Sequence, residues 1–209
     1  HGGPQSRGKQ QLLIGPWLHG GTKGNKIGDL TFPPNARFDR EAHMLRWFDH
    51  YLKGVDNGVT KEPTVRYYVT GAVGEPNAPG NEWRTAADWP VQAMPAAYYL
   101  RAGGNLASAK PTEATASTPF PPDPLHPASI PSRAFPGAKD ARAFERQAEV
   151  RTFTTDVLTE PVEWTGKVRA EIWLSSSAKD TDVIVRVSDV YPDGRSILLI
   201  DTIRRARYR

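Results

Sequence analysis

Residues 12–21 read LLIGPWLHGG, and residues 39–54 read DREAHMLRWFDHYLKG. The apolar run inside residues 11–15 is short and continuous, which predicts a buried strand. Glycines on both sides of His19 allow the backbone to bend sharply at that point. A glycine- and proline-rich loop over residues 20–38 follows before the second stretch begins. His19 is therefore expected on the loop that leaves a strand and precedes a helix.

The second stretch predicts a helix with one apolar face. Asp39 is placed to cap its first turn, and Glu41 adds a favourable negative charge there. Gly54 follows the last helical position, where a left-handed residue ends many helices. The apolar side chains recur at three- and four-residue steps, at Met44, Leu45, Phe48, Tyr51 and Leu52.

A histidine between a strand and a helix is where an α/β-hydrolase keeps the general base of its Ser-His-Asp triad, and that triad runs in the chain order Ser, Asp or Glu, His. Only 18 residues precede His19, so the nucleophile and the carboxylate are expected to be missing. No Gly-x-Ser-x-Gly occurs; Ser6 lacks the first glycine and a preceding strand. His19 is thus the single candidate catalytic residue, and a surface or packing histidine is the alternative.

The composition excludes several other classes of function. The net charge is +4, but the basic residues do not form one stripe and no nucleic-acid-binding module surrounds them, so no nucleic-acid partner is expected. There is no cysteine, and His43 and His50 do not have the spacing of a zinc-binding helix. Asp180, Asp182 and Asp189 lack a glycine-centred calcium loop. Neither a metal nor another cofactor is expected.

The 209 residues contain neither of the two apolar segments that would indicate a cellular location. No apolar run is long enough to span a membrane, and the chain starts at His1 without a signal-like segment. The natural N-terminus is therefore expected to be missing. The residues predict neither a cellular compartment nor an oligomeric state.

The last third of the chain has the pattern of an all-β domain. A further strand is predicted earlier, at residues 64–70, and a domain boundary near residues 83–90. Eight prolines between Lys110 and Gly137 exclude regular structure there and predict an ordered strap with apolar anchors at Phe120, Leu125, Ile130 and Phe135. Alternating or apolar runs separated by turns predict a β-sandwich, with strands at 150–154, 168–174, 182–190 and 197–200.

Several of these segments resemble one known family. Residues 14–20, IGPWLHG, are similar to the "GPW-x-H" segment around the catalytic histidine of the cocaine-esterase and X-prolyl dipeptidyl-peptidase family of serine hydrolases. Residues 45–54 resemble its "RWFD-x-x-LKG" helix, and residues 83–90 its "W-R…W-P" crossing between domains. Residues 189–195 (DVYPDGR) and 205–209 (RARYR) resemble parts of its C-terminal jelly roll.

The resemblance implies two incomplete domains. Residues 1–85 would be the C-terminal portion of an α/β-hydrolase catalytic domain, and residues 86–209 a truncated all-β jelly roll of the galactose-binding-like type. Only His19 carries over as a catalytic residue, because the serine, the acid, the oxyanion donors and the helical cap would precede His1. Residues 121–124 read PPDP, where the family more often has an aromatic before D-P; this departure concerns the strap and not the chemistry.

The implied function is cleavage of an ester or amide bond by a serine hydrolase, with a small ester, an amide or an X-Pro peptide as substrate. The chain alone is expected to be inactive. The alternative is a non-catalytic β-sandwich module that binds carbohydrate or peptide. Three tryptophans would supply its stacking platform, Trp83, Trp89 and Trp164.

Overall fold

The chain divides into two units in the computed structural model, which describes residues 3–19, 21–120, 123–129 and 137–208. The N-terminal unit consists of His1–Gln92 with Thr165–Lys167, and the C-terminal unit of Ala93–Trp164 with Val168–Arg209. Gly20, Ile130, Phe135, Arg209 and the prolines at 121 and 122 lie outside the described residues. The division into domains at residue 85 stays a prediction.

A three-stranded sheet organises the N-terminal unit. Strand β1 (Leu12–Ile14) pairs in parallel with β4 (Val65–Val69), which pairs antiparallel with β5 (Glu82–Ala86). The predicted strands at 11–15 and 64–70 are confirmed. The expected burial of the first is wrong, since Leu12 is 39% exposed. Its position at the edge of the sheet explains this, because a neighbouring strand lies on one side of it.

The region between β1 and the helix is more structured than the predicted loop. Strands β2 (Lys26–Ile27) and β3 (Leu30–Thr31) form a small antiparallel hairpin, followed by a 3₁₀ turn at Pro34–Ala36. Residues of this region and of β4 supply most of the buried apolar core of the unit, namely Ile27, Leu30, Phe32, Ala36, Val65, Tyr67 and Tyr68.

Helix α1 (Arg40–Lys53) confirms the helix prediction at both ends. The Asp39 carboxylate accepts a hydrogen bond from the Ala42 backbone N–H at 3.0 Å, and Gly54 takes a left-handed φ of 73°. The helix is attached through its polar side, where Arg46 bonds Glu62 at 2.7 Å. Its apolar face is exposed, with Leu52 77% accessible.

The C-terminal unit is β-rich, and its described strands form two separate pairs. One pair is β6 (Tyr99–Leu100) with β7 (Leu106–Ala107). The other is the long hairpin of β8 (Asp182–Val190) and β9 (Ser196–Arg205), with a register shift between Val187 and Ser188. A short helix, α2 (Arg142–Glu145), lies between the two pairs in the sequence. The predicted strands at 182–190 and 197–200 are confirmed.

Two predicted strands do not form. Residues 168–174 contain no strand, and of residues 150–154 only Thr154 forms a β-bridge, with Asn105. A strand needs a neighbour for its backbone hydrogen bonds, and residues 168–174 are exposed throughout. The sandwich and jelly-roll arrangement stays a prediction.

In its described residues, the proline-rich strap is held by polar contacts. Of its four predicted apolar anchors, Phe120 and Leu125 are described, and both are exposed. Leu125 is 85% exposed. Arg151 donates to the Pro119 carbonyl at 2.9 Å and lies over the Phe120 ring. Gln147 exchanges two hydrogen bonds with the backbone of Ser129.

Candidate functional site

His19 lies on the turn that leaves β1, 21 residues before α1 begins at Arg40. The order strand, histidine, helix is therefore present. The side chain is exposed, and no described residue hydrogen-bonds its imidazole. An exposed imidazole of this kind can accept and release a proton once a hydroxyl is brought within hydrogen-bond distance.

Trp17, two residues before His19, does not cover the histidine. The Trp17 ring instead packs against Phe38, with ring centres 5.9 Å apart, and against Trp83 at 5.6 Å. Its indole N–H donates to the Ala36 carbonyl at 2.7 Å. The tryptophan is thus used for local packing, and it leaves the histidine accessible.

A cavity of about 380 Å³ lies beside the His19 turn. Its charged lining includes Lys23, Lys26, Arg40 and Glu41, and it reaches Leu18. Lys23 pairs with the Glu41 carboxylate at 3.3 Å. The pKa of Glu41 is lowered, first by a backbone hydrogen bond and then by Lys23. Both partners are highly exposed, so this pair adds little to stability.

Both histidines and two of the three aspartates considered for metal binding have other partners. His43 lies 3.6 Å from Glu62, and His50 Nδ1 is 2.9 Å from the Val55 carbonyl. Asp180 and Asp182 pair with arginines. Within the parts of the chain that the structure describes, no three His, Cys, Asp or Glu side chains gather as a metal site. None of the described helices has the length and apolar character needed to cross a membrane.

The tryptophans considered for a binding platform are each engaged separately. Trp83 packs on Trp17 and Tyr68, and Trp89 packs on Tyr67 at 5.5 Å. Trp164 packs on Tyr98 in the C-terminal unit. Trp83 is therefore part of the support beneath the His19 turn, which the sequence alone did not indicate. The one available signal was its place in the "W-R" motif.

Comparisons with known proteins agree with the family resemblance. The model of the X-Pro dipeptidyl-peptidase C-terminal non-catalytic domain matches residues 57–209. A cocaine esterase from Rhodococcus sp. (strain MB1 Bresler) is 33% identical over 95% of this chain and 36% of its own length. Two provisionally named serine esterases, from Mycobacterium bovis and Mycobacterium tuberculosis, are each 29% identical over 95% of this chain and 31% of their own.

The chain thus spans about a third of the length of these curated relatives. The family match covers a large majority of the chain and begins at residue 57, within the range that the sequence assigned to the catalytic domain. The resemblance predicted from the motifs is confirmed: the chain belongs to the cocaine-esterase and X-prolyl dipeptidyl-peptidase family, as part of its C-terminal portion.

Proposed function

We propose that this chain is part of a serine hydrolase that cleaves ester or amide bonds, and that His19 is its general base. The observation that carries the proposal is the exposed imidazole on the turn between β1 and α1. Relatives named as esterases support the reaction class. The described residues include no nucleophile elbow. The serine and the carboxylate would lie in a part of the full-length hydrolase that corresponds to the unmatched part of the relatives.

In the assembled site, His19 would accept the proton of the serine hydroxyl as the serine attacks the carbonyl carbon. It would then give that proton to the leaving alcohol or amine. The exposure of His19 supports this role, because a general base must be reachable by a nucleophile carried on another segment. Residues 57–209, which match a non-catalytic domain, would contribute no catalytic group.

Esters are the first proposed substrates, and X-Pro peptides the second. The names of the relatives favour esters. Trp17 packs against Phe38 and Trp83 and leaves His19 exposed, so it gives no support for an apolar acyl site beside the histidine. Assays of the full-length hydrolase on a p-nitrophenyl ester and on an X-Pro anilide would establish the order, and efficient anilide cleavage with negligible ester turnover would reverse it.

The role of His19 is tested by His19→Ala in the full-length hydrolase. We expect kcat to fall by about three orders of magnitude or more, as when a triad member is removed. His126→Ala is the matched control, because His126 is also an exposed histidine but lies in the C-terminal unit. Near-normal turnover of the His19 variant would refute the assignment.

The 209-residue chain gives a second test. Incubated alone with a fluorophosphonate probe, it should show no labelled serine, since an imidazole without a hydroxyl partner activates no nucleophile. Stoichiometric labelling would contradict this expectation. A full-length protein that also failed to label and had no hydrolase activity would favour the alternative, a non-catalytic binding module.

A further inference from the structure

We infer that Trp17 and Thr22 are positioning residues that fasten the His19 turn to residues 36–38, and that Gly15 is glycine to leave room for the Trp17 ring. The catalytic consequence rests on the function proposed for His19. The fastening itself is a property of the chain and can be measured without any activity.

The first attachment point lies two residues before His19. The Trp17 indole N–H donates to the Ala36 carbonyl at 2.7 Å, and Ala36 is fully buried. The ring also packs against Phe38 and Trp83. A half-buried indole with a satisfied N–H is held in both position and rotation, because moving it would break a hydrogen bond and open a gap in the packing.

The second attachment point lies three residues after His19. The Thr22 hydroxyl donates to the Phe38 carbonyl at 2.7 Å, and the Phe38 N–H donates to the Thr22 carbonyl at 2.8 Å. His19 therefore lies in a short span whose two ends are attached to the same segment, 36–38. Closing so short a span between two fixed points leaves few conformations for its backbone.

Asn35, the residue directly before the segment that receives both attachments, is held by the sheet. The Trp83 indole on β5 donates to the Asn35 carbonyl at 2.7 Å. The Tyr68 hydroxyl on β4 donates to Asn35 Oδ1 at 3.0 Å, and Asn35 Nδ2 donates to the Asn81 carbonyl at 2.8 Å. Since β1 also pairs with β4, the His19 turn is tied to one rigid sheet by two routes.

Gly15 is required by this arrangement for steric reasons. A methyl group on its Cα would overlap the Trp17 ring carbons Cε3, Cζ3 and Cη2. Its backbone does not need a left-handed φ, so the sharp bend expected from the sequence is not the reason for glycine here. Gly15→Ala can be accommodated only if the indole leaves Ala36 and moves away from its aromatic neighbours.

This coupling between Gly15 and Trp17 makes a double-mutant cycle decisive. In the full-length hydrolase, Gly15→Ala and Trp17→Ala should each lower kcat by up to about 10²-fold, because small displacements of a catalytic group are that costly. KM should stay within about twofold. The double variant should be no worse than Trp17→Ala, since without the ring the added methyl overlaps nothing. Multiplicative losses would overturn the inference.

Two milder variants keep the test open if Gly15→Ala does not fold. Trp17→Phe retains an aromatic ring but removes the donor to Ala36, and Thr22→Val removes only the hydroxyl bond to Phe38. Each should lower kcat by about tenfold, consistent with the loss of one hydrogen bond. Wild-type kcat in both would refute the positioning role. Gly24→Ala is the matched control on the same loop, because nothing lies within 4 Å of its added methyl.

A readout on the 209-residue chain separates this inference from the proposed function. In NMR spectra, the His19 imidazole signals should broaden or shift in Trp17→Ala and Gly15→Ala, while those of His126 stay unchanged. Unaltered His19 signals would overturn the inference. If instead His19→Ala left turnover intact while the signals responded as expected, the proposed general base would fail and the fastening would stand.

Discussion

Helix α1 and residues 168–174 carry two of the strongest patterns in this chain, and they have opposite outcomes. All of α1 forms although none of its residues is buried. Residues 168–174 alternate as a strand should, yet they form none, and Trp173 is 86% exposed. A helix makes its backbone hydrogen bonds within itself, whereas a strand makes them with a second strand. A strand pattern is therefore realised only where a partner strand is available.

The long hairpin of β8 and β9 shows that strands do form where a partner strand is available. Strands β8 and β9 have patterns no stronger than that of 168–174, but the turn at residues 191–195 places each beside the other. The Gly194 N–H bonds the Tyr191 carbonyl at 2.8 Å, and the glycine takes a left-handed φ of 84°. The edge strand β1 also has a partner, because it pairs with β4, which lies much later in the sequence.

The largest expected effect is a loss of stability caused by a substitution in β9, a strand that has a partner. Ile197 in β9 is 1% exposed, so Ile197→Ala should lower the free energy of unfolding of the C-terminal unit by roughly 2–5 kcal/mol. Ile200→Ala on the same strand, where the side chain is 49% exposed, is the control and should cost less than half as much. Urea unfolding of the 209-residue chain measures both. Equal losses would show that packing does not hold this hairpin together.

The elements that the sequence predicted well are those whose signals lie close together in the chain. Asp39 and Gly54 mark the two ends of α1, and the DVYPDGR turn marks the hairpin. The hairpin of β2 and β3 was missed because two-residue strands are shorter than any periodic pattern. Residues 168–174 have the local pattern of a strand, and they form none because they have no partner strand among the described residues.

The candidate site was predictable in part for the same reason. The position of His19 between a strand and a helix follows from adjacent residues. The support beneath it does not, because Trp17 meets Trp83, which lies 66 residues further along the chain, and their indole N–H groups donate to two neighbouring carbonyls, those of Ala36 and Asn35. Such contacts arise only when β1, β4 and β5 have paired. The catalytic domain and the jelly roll that the resemblance implies remain proposals.

A smaller loss of stability is expected from a substitution of Gly54, the residue that ends α1. Gly54 has a φ of 73° with open space around it, so Gly54→Ala introduces conformational strain without a clash. An L-residue in this region costs about 1–2 kcal/mol. The helix should fray at residues 50–53, seen as faster amide hydrogen exchange there. Gly24→Ala is the control, and unchanged exchange in Gly54→Ala would mean that the helix does not depend on its own cap.

The smallest effect concerns the open end of the long hairpin, where Asp182 stands opposite Arg205. The arginine donates to both carboxylate oxygens, at 2.8 and 2.9 Å, and this hydrogen bonding lowers the pKa of Asp182. Because the folded pKa is the lower one, the pair stabilises the hairpin above the ordinary aspartate value of about 3.9. That contribution is lost as the pH falls through the folded pKa. Both groups are exposed, so the change should be modest and should shrink with added salt.

An NMR titration of the Asp182 carboxyl carbon tests this pair directly. The midpoint should lie below the ordinary aspartate value in the wild-type chain and should rise towards it in Arg205→Gln. Arg169→Gln is the matched control, because Arg169 pairs with Glu171 within the segment that forms no strand. A wild-type midpoint at the ordinary value would mean that the two side chains do not hold each other across the strands. The hairpin would then depend on its apolar residues and its turn alone.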